Sequence, residues 1–132
     1  MKTILVIEDF SGIRKLVCRK LRSKGYSVLS ASTGKEAYEL LNKPVSEVNL
    51  VISDFDMPDV QDFDLLRMIK ANPKLENLPI IYMDCKLLSD KKKEVKKPGK
   101  SGFDVKAFRD DYFFQEVGRA MQTAGSIFNI VN

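Results

Sequence analysis

The residues of this chain best suited to chemistry are carboxylates that follow short apolar runs. Glu8 and Asp9 follow residues 3–7, Asp54 and Asp56 follow residues 49–53, and Asp84 follows residues 79–83. Lys106 follows one further stretch of this kind, residues 102–105. If these stretches are parallel strands of one sheet, their ends meet at one edge. Holding four to five carboxylates there beside one lysine costs too much without a cation, so the set implies a bound divalent metal. The donors are oxygens, because the chain has no histidine and only two cysteines, 67 positions apart. That donor set selects Mg²⁺ or a similar hard ion, which takes a few carboxylates and keeps several waters. A metal beside a carboxylate and an ammonium can draw in a phosphoryl group and let the carboxylate attack phosphorus in line. Asp54, ending the most apolar central strand, is the best-placed nucleophile. Lys106 would pair with the transferred phosphoryl as a point charge.

The elements that must position these groups can be read in order. Residues 3–7 form a fully apolar, β-branched run, as a buried parallel strand does. Ser11 is placed to cap a helix carrying Ile13, Leu16, Val17 and Leu21 on one face, with Gly25 as its stop. Residues 27–31 read as a strand. Thr33 and Glu36 form a capping box for a helix with Ala37, Leu40 and Leu41 inward and Pro44 at its exit. A strand over 49–53 leads through Met57-Pro58-Asp59 to a helix over 62–71 carrying Phe63, Leu66 and Ile69. A strand over 79–83, a basic helix over 87–97, a fifth strand over 102–105 and a helix over 110–123 with Phe113, Val117 and Met121 complete the series. Five strands alternating with five helices predict an α/β fold: a doubly wound five-stranded parallel sheet of the flavodoxin-like kind. Such sheets bind ligands at the carboxyl ends of their strands, where the strand order reverses.

Composition narrows the possibilities further. At 132 residues, 44% hydrophobic and 30% charged, the chain fits one domain, expected over residues 1–124 with a C-terminal tail over 125–132. Without imidazole it is neither a phosphohistidine carrier, a Ser-His-Asp hydrolase nor a His-ligated zinc enzyme. Cys18 and Cys85 form no CxxC motif and suggest a reducing compartment; Cys18 reads as structural and Cys85 adjoins the presumed site. No apolar run is long enough for a membrane span or signal peptide, so the expectation is a cytoplasmic protein without membrane insertion. The net charge is +4, and the segment from Lys86 to Lys106 carries eight lysines against three acids. The remainder is close to neutral, with 14 basic and 15 acidic residues. The lysine-rich segment, with the last helix, is therefore the expected face for an acidic partner protein. Nucleic acid is disfavoured, since no arginine or aromatic residue interleaves the lysines from Lys91 to Lys100.

Glu8-Asp9, Asp54-x-x-Met57-Pro58 and Lys106, in this order and spacing, resemble the receiver domain of two-component response regulators, of the stand-alone CheY-like type. The likeness covers roughly residues 2–122. Asp9-Phe10-Ser11-Gly12-x-Arg14 and Val51-Ile52-Ser53-Asp54 look most like the chemotaxis branch. The resemblance implies that Asp54 accepts a phosphoryl group from a sensor histidine kinase or phosphotransfer protein. It also implies that Mg²⁺ is held by Glu8, Asp9, Asp54 and the backbone carbonyl of Asp56. Lys106 would contact the phosphoryl oxygen, Phe103 would be the aromatic switch, and a downstream protein target would read the switched surface. Such a protein assists its own phosphorylation and dephosphorylation and is not an enzyme with a separate substrate.

Four positions depart from the family pattern. Asp84 and Cys85 stand where the family has Thr or Ser and then a small residue; Ala107 replaces the proline after the lysine, and Asp62 a loop glycine. Pro98 shortens or bends the basic helix. Asp84 matters most, because a carboxylate cannot donate to a phosphoryl oxygen as a hydroxyl does. A like-charge pair at roughly 5 Å and an effective dielectric near 20 costs about 3 kcal/mol. The alternative reading is thus a pseudo-receiver, an interaction module with weak or no phosphorylation-dependent switching. A phosphatase of the haloacid dehalogenase type is disfavoured, because Asp54-Phe55-Asp56 does not follow a first strand and the chain has no cap domain.

Overall fold

The computed structural model describes residues 2–43, 47–54, 65–84 and 110–131. The helix expected over 87–97, the strand expected over 102–105, Pro44, Phe63 and Pro98 lie outside these residues. The described elements are β1 (Thr3–Ile7), α1 (Ser11–Ser23), β2 (Ser27–Ala31), α2 (Gly34–Leu41), β3 (Leu50–Asp54), α3 (Leu65–Ala71), β4 (Ile80–Asp84), α4 (Asp110–Met121) and β5 (Ile127–Val131). The strands form one parallel sheet in the order β2-β1-β3-β4-β5. This is the doubly wound, flavodoxin-like order expected from the sequence.

β1 reads as an uninterrupted apolar run because both of its faces are covered. Ile4 and Val6 join Val28, Leu50, Ile52, Ile81 and Met83 beneath Ile13, Val17 and Leu21 of α1 and Phe113, Val117 and Ala120 of α4. Leu5 and Ile7 face the other way with Val51 and Ile80, covered by Ala37 and Leu41 of α2 and Ile69 of α3. The sheet is therefore sandwiched by α1 and α4 on one side and α2 and α3 on the other. Among the described residues no helix is long and apolar enough to cross a membrane.

Local signals explain most boundaries. The Thr33 hydroxyl accepts from the Glu36 amide at 3.1 Å, and the Glu36 carboxylate reaches back to the Ser32 hydroxyl at 3.0 Å, so the capping box closes α2. Gly25 takes φ +92° in the turn that ends α1, a conformation costly for a side chain. Ser11 is not the N-cap of α1: it is the first helical residue, and Phe10 precedes it without a side-chain cap. The entry to α1 is fixed instead by Glu8, whose Oε1 accepts from the Phe10 amide at 3.1 Å.

The C-terminal stretch departs from expectation. Residues 127–131 are not a tail outside the domain; they form β5, paired in register with β4 from Ile80↔Ile127 to Asp84↔Val131. The run Ile127-Phe128-Asn129-Ile130-Val131 has the β-branched and aromatic content of a strand. Gly125 turns the chain into it at φ +69°, donating to the Asn77 carbonyl at 2.8 Å and accepting from Lys70 Nζ at 2.8 Å. The Ile80 amide then donates to the Ser126 carbonyl at 2.9 Å and opens the ladder.

Candidate functional site

The chain leaves β1 toward β2 on one side and returns to β3 on the other, so the ends of β1 and β3 flank the point where strand order reverses. Glu8 and Asp9 follow β1 directly, and Asp54 is the last residue of β3. Their backbones are fixed by the ladders. Ile7 pairs with Ser53 and Asp54 with Met83.

One carboxylate oxygen from each of Glu8, Asp9 and Asp54 lies within 4.8 Å of the other two. Glu8 and Asp54 are each only 3% exposed, whereas Asp9 is exposed, so the cluster has a buried floor and an open mouth. Glu8 is held from three directions: its amide donates to the Ala31 carbonyl at 3.1 Å, its Oε1 accepts from the Phe10 amide, and its carbonyl accepts from Arg14 Nη1 at 2.8 Å. Asp54 Oδ2 is buried, and the neighbouring Ser53 hydroxyl donates to the Asp54 carbonyl at 3.3 Å.

Three carboxylates so close repel by about 3 kcal/mol per pair at an effective dielectric near 20. A small hard cation, sharing these oxygens and keeping waters on the side of exposed Asp9, relieves that repulsion, and the oxygen-only donor set fits it.

The sequence-predicted residues divide as follows. Glu8, Asp9 and Asp54 come together. Asp84 ends β4, one residue beyond Met83, the register partner of Asp54, which brings its backbone to the same edge. Asp56, Met57, Pro58, Asp62, Cys85, Phe103, Lys106 and Ala107 lie outside the described residues. Cys18 is buried in α1, and burial pushes its thiol pKa up even though Arg22 and Arg14 pull it down. Arg14 was missed as a structural member of the site. Its position in the first turn of α1, six residues after Glu8, was the available signal, because a long donor there reaches back to the end of β1.

Comparison with known proteins agrees with this geometry. The profile of the response regulator receiver domain matches residues 4–117. The chemotaxis protein CheY-3 of Vibrio cholerae serotype O1 is 32% identical over 106 residues, which is 80% of this chain and 80% of that protein. The chemotaxis protein CheY of Pseudomonas aeruginosa is 29% identical over 106 residues, 80% of this chain and 84% of that protein. Among solved structures, Vibrio cholerae CheY4 superposes with a TM-score of 0.68 at 28% identity, covering 91% of this chain and 98% of that one. With the acidic cluster at the switch point of a 2-1-3-4-5 sheet and the family profile running from β1 into α4, the chain belongs to the response regulator receiver domain family, in its CheY-like form.

Proposed function

We propose that the chain is a phosphoacceptor switch: Asp54 takes a phosphoryl group from a histidine kinase or phosphotransfer protein, and the modified edge of the sheet is read by a downstream protein. The observation that carries this reading is the convergence of Glu8, Asp9 and Asp54, with Asp54 at the end of a strand buried on both faces.

In the reaction, a carboxylate oxygen of Asp54 attacks phosphorus, and the donor leaves in line with the electron pair of the broken P–O or P–N bond. The β3 ladder fixes the nucleophile, and burial of its carboxylate at 3% exposure keeps bulk water off the acyl phosphate. Glu8 and Asp9 would hold Mg²⁺ together with Asp54, and the Asp56 carbonyl would join them; the ion would neutralise the equatorial oxygens of the incoming group. The Phe10 amide holds Oε1 of Glu8 and so limits how far that carboxylate can turn from the cluster. Lys106 would contact the phosphoryl oxygen, and Phe103 would report the switched state.

Asp84 supports a second reading, a pseudo-receiver whose response to phosphate is weak. It is an acidic residue whose backbone ends β4, beside the strand that ends in Asp54. Replacing it with Thr removes a charge and supplies a hydroxyl donor, so Asp84→Thr should raise the fraction phosphorylated by a given donor several-fold, up to about a hundredfold in equilibrium terms. Equal fractions in the two proteins would mean that Asp84 does not inhibit.

Beryllofluoride, a phosphoryl mimic, tests the proposal without a kinase. With Mg²⁺ present it should shift the amide NMR signals around Asp54 and the ends of β1 and β4, and Asp54→Asn should abolish the shifts. Identical spectra with and without beryllofluoride in the wild type would refute the phosphoacceptor reading.

A further inference from the structure

Helix α1 is strongly one-signed. Arg14, Lys15, Arg19, Lys20 and Arg22 fall within it, and it contains no aspartate or glutamate. Summing charge over the chain hides this, because acids elsewhere cancel the excess. Four of these cations, Arg14, Lys15, Arg19 and Arg22, line a groove of about 500 Å³ together with Cys18 and with Ser30 of β2. None of the four forms an ion pair with a carboxylate among the described residues; Arg14 and Arg22 donate only to backbone carbonyls. Against the upward push of burial, Arg22 and Arg14 both favour a thiolate at Cys18, so their charges act along the groove lining.

The edge of the sheet beside the groove is blocked. The Ser27 amide donates to the Lys2 carbonyl and the Ala31 carbonyl accepts from the Glu8 amide, so these residues turn toward β1. Strand alternation then turns the backbone groups of Val28 and Ser30 outward. Arg22 Nη2 donates to the outward Val28 carbonyl at 3.3 Å, which obstructs addition of another strand. A ligand must therefore engage side-chain charge and not the strand edge.

The spacing of that charge favours an extended chain over a compact anion. Lys15, Arg19 and Arg22 recur one turn apart on one side of the helix, about 6 Å and about 4.5 Å along its axis, and Arg14 to Arg22 spans about 12 Å. Alternate side chains of an extended peptide are about 6.7 Å apart, so successive carboxylates at alternate positions fall within reach of these long, flexible cationic side chains. A lone phosphate reaches one or two of them. No aromatic side chain lines the groove, which leaves bases of a nucleic acid no stacking platform.

We propose that the α1 groove docks an extended acidic segment of a partner protein, its alternate carboxylates pairing with Lys15, Arg19 and Arg22. Use of this surface does not depend on phosphoryl chemistry at Asp54.

A fluorescein-labelled peptide of alternating Glu and Ser, titrated against the full chain at low salt and followed by anisotropy, tests the proposal. Saturable binding is expected, weakened about tenfold in Lys15→Glu/Arg19→Glu and weakened also by added salt. Both replaced side chains are exposed, and circular dichroism checks that the fold is kept. A control pair of equal charge change at exposed sites away from α1, Lys43→Glu/Lys74→Glu, should bind within about twofold of wild type. Asp54→Asn should bind as wild type does, which separates this surface from the phosphoacceptor. Absence of saturable binding, equal loss in both charge-reversed pairs, or displacement of the peptide by a single-stranded oligonucleotide of equal charge at lower concentration would overturn the assignment.

Discussion

Asp54, Glu8 and Asp9 are held together by backbone geometry and not by mutual attraction. Two are 3% exposed and the third is open to solvent, so the cluster stores repulsion that a cation or removal of one charge can release. Asp9→Asn should therefore stabilise the metal-free protein by about 1 kcal/mol once the exposure of Asp9 is allowed for, or about 4 °C in melting temperature. The same variant should lose most of the stabilisation that Mg²⁺ gives the wild type. Thermal unfolding of both proteins with and without Mg²⁺ checks this; an unstabilised variant that still responds fully to Mg²⁺ would place the cation elsewhere. Cys18 makes the opposite case, a reactive type rendered inert. Burial raises its thiol pKa and so favours the neutral form. In Cys85→Ser, where Cys18 is the sole cysteine, iodoacetamide should label the native protein more than about tenfold more slowly than the urea-unfolded chain. Because burial keeps the thiolate a minor species in the native state, the folded protein should label more slowly than the unfolded chain at both pH 7 and pH 9, while its rate rises between them by at least as large a factor.

At the scale of elements, what the sequence made legible was what depends on local pattern. β1 and β2 have the expected bounds because both-face burial and turn residues delimit them, and α2 because Thr33 and Glu36 cap it. β3 and β4 each run one residue later than expected, so that Asp54 and Asp84 are the last residues of their strands and not the first residues beyond them. The entry to α1 was misread, because a Ser in the first position of a helix looks like a cap when the Glu8 carboxylate that replaces it is invisible in sequence. The strand at the C-terminus was missed for a related reason. Residues 127–131 have strand composition but follow the last expected helix, so sequence alone reads them as a tail, and only their tertiary ladder with β4 reveals them as a strand; the strand expected over 102–105 lies outside the described residues. Ending the chain after Ala124 removes that ladder and bares the β4 edge. At about 1 kcal/mol per hydrogen bond this should cost about 2–4 kcal/mol, read as a lower urea midpoint. An unchanged midpoint would show that β5 contributes nothing to the fold.

For the whole molecule, the acidic site was legible because it depends on topology. Once the strands are parallel and ordered 2-1-3-4-5, residues that follow β1 and end β3 must meet, however far apart in sequence. The basic groove on α1 was not legible, because net charge averages over faces that the fold separates. The central claim is that this geometry makes Asp54 a phosphoacceptor, and covalent transfer tests it most directly. The full chain is incubated with Mg²⁺ and acetyl phosphate, trapped by borohydride reduction of the acyl phosphate, digested and read by mass spectrometry. The account predicts one modified carboxyl, in the peptide that contains Asp54, dependent on Mg²⁺ and absent in Asp54→Asn. Modification at another carboxylate, persistence in Asp54→Asn, or no modification of the wild type at any donor concentration would contradict it.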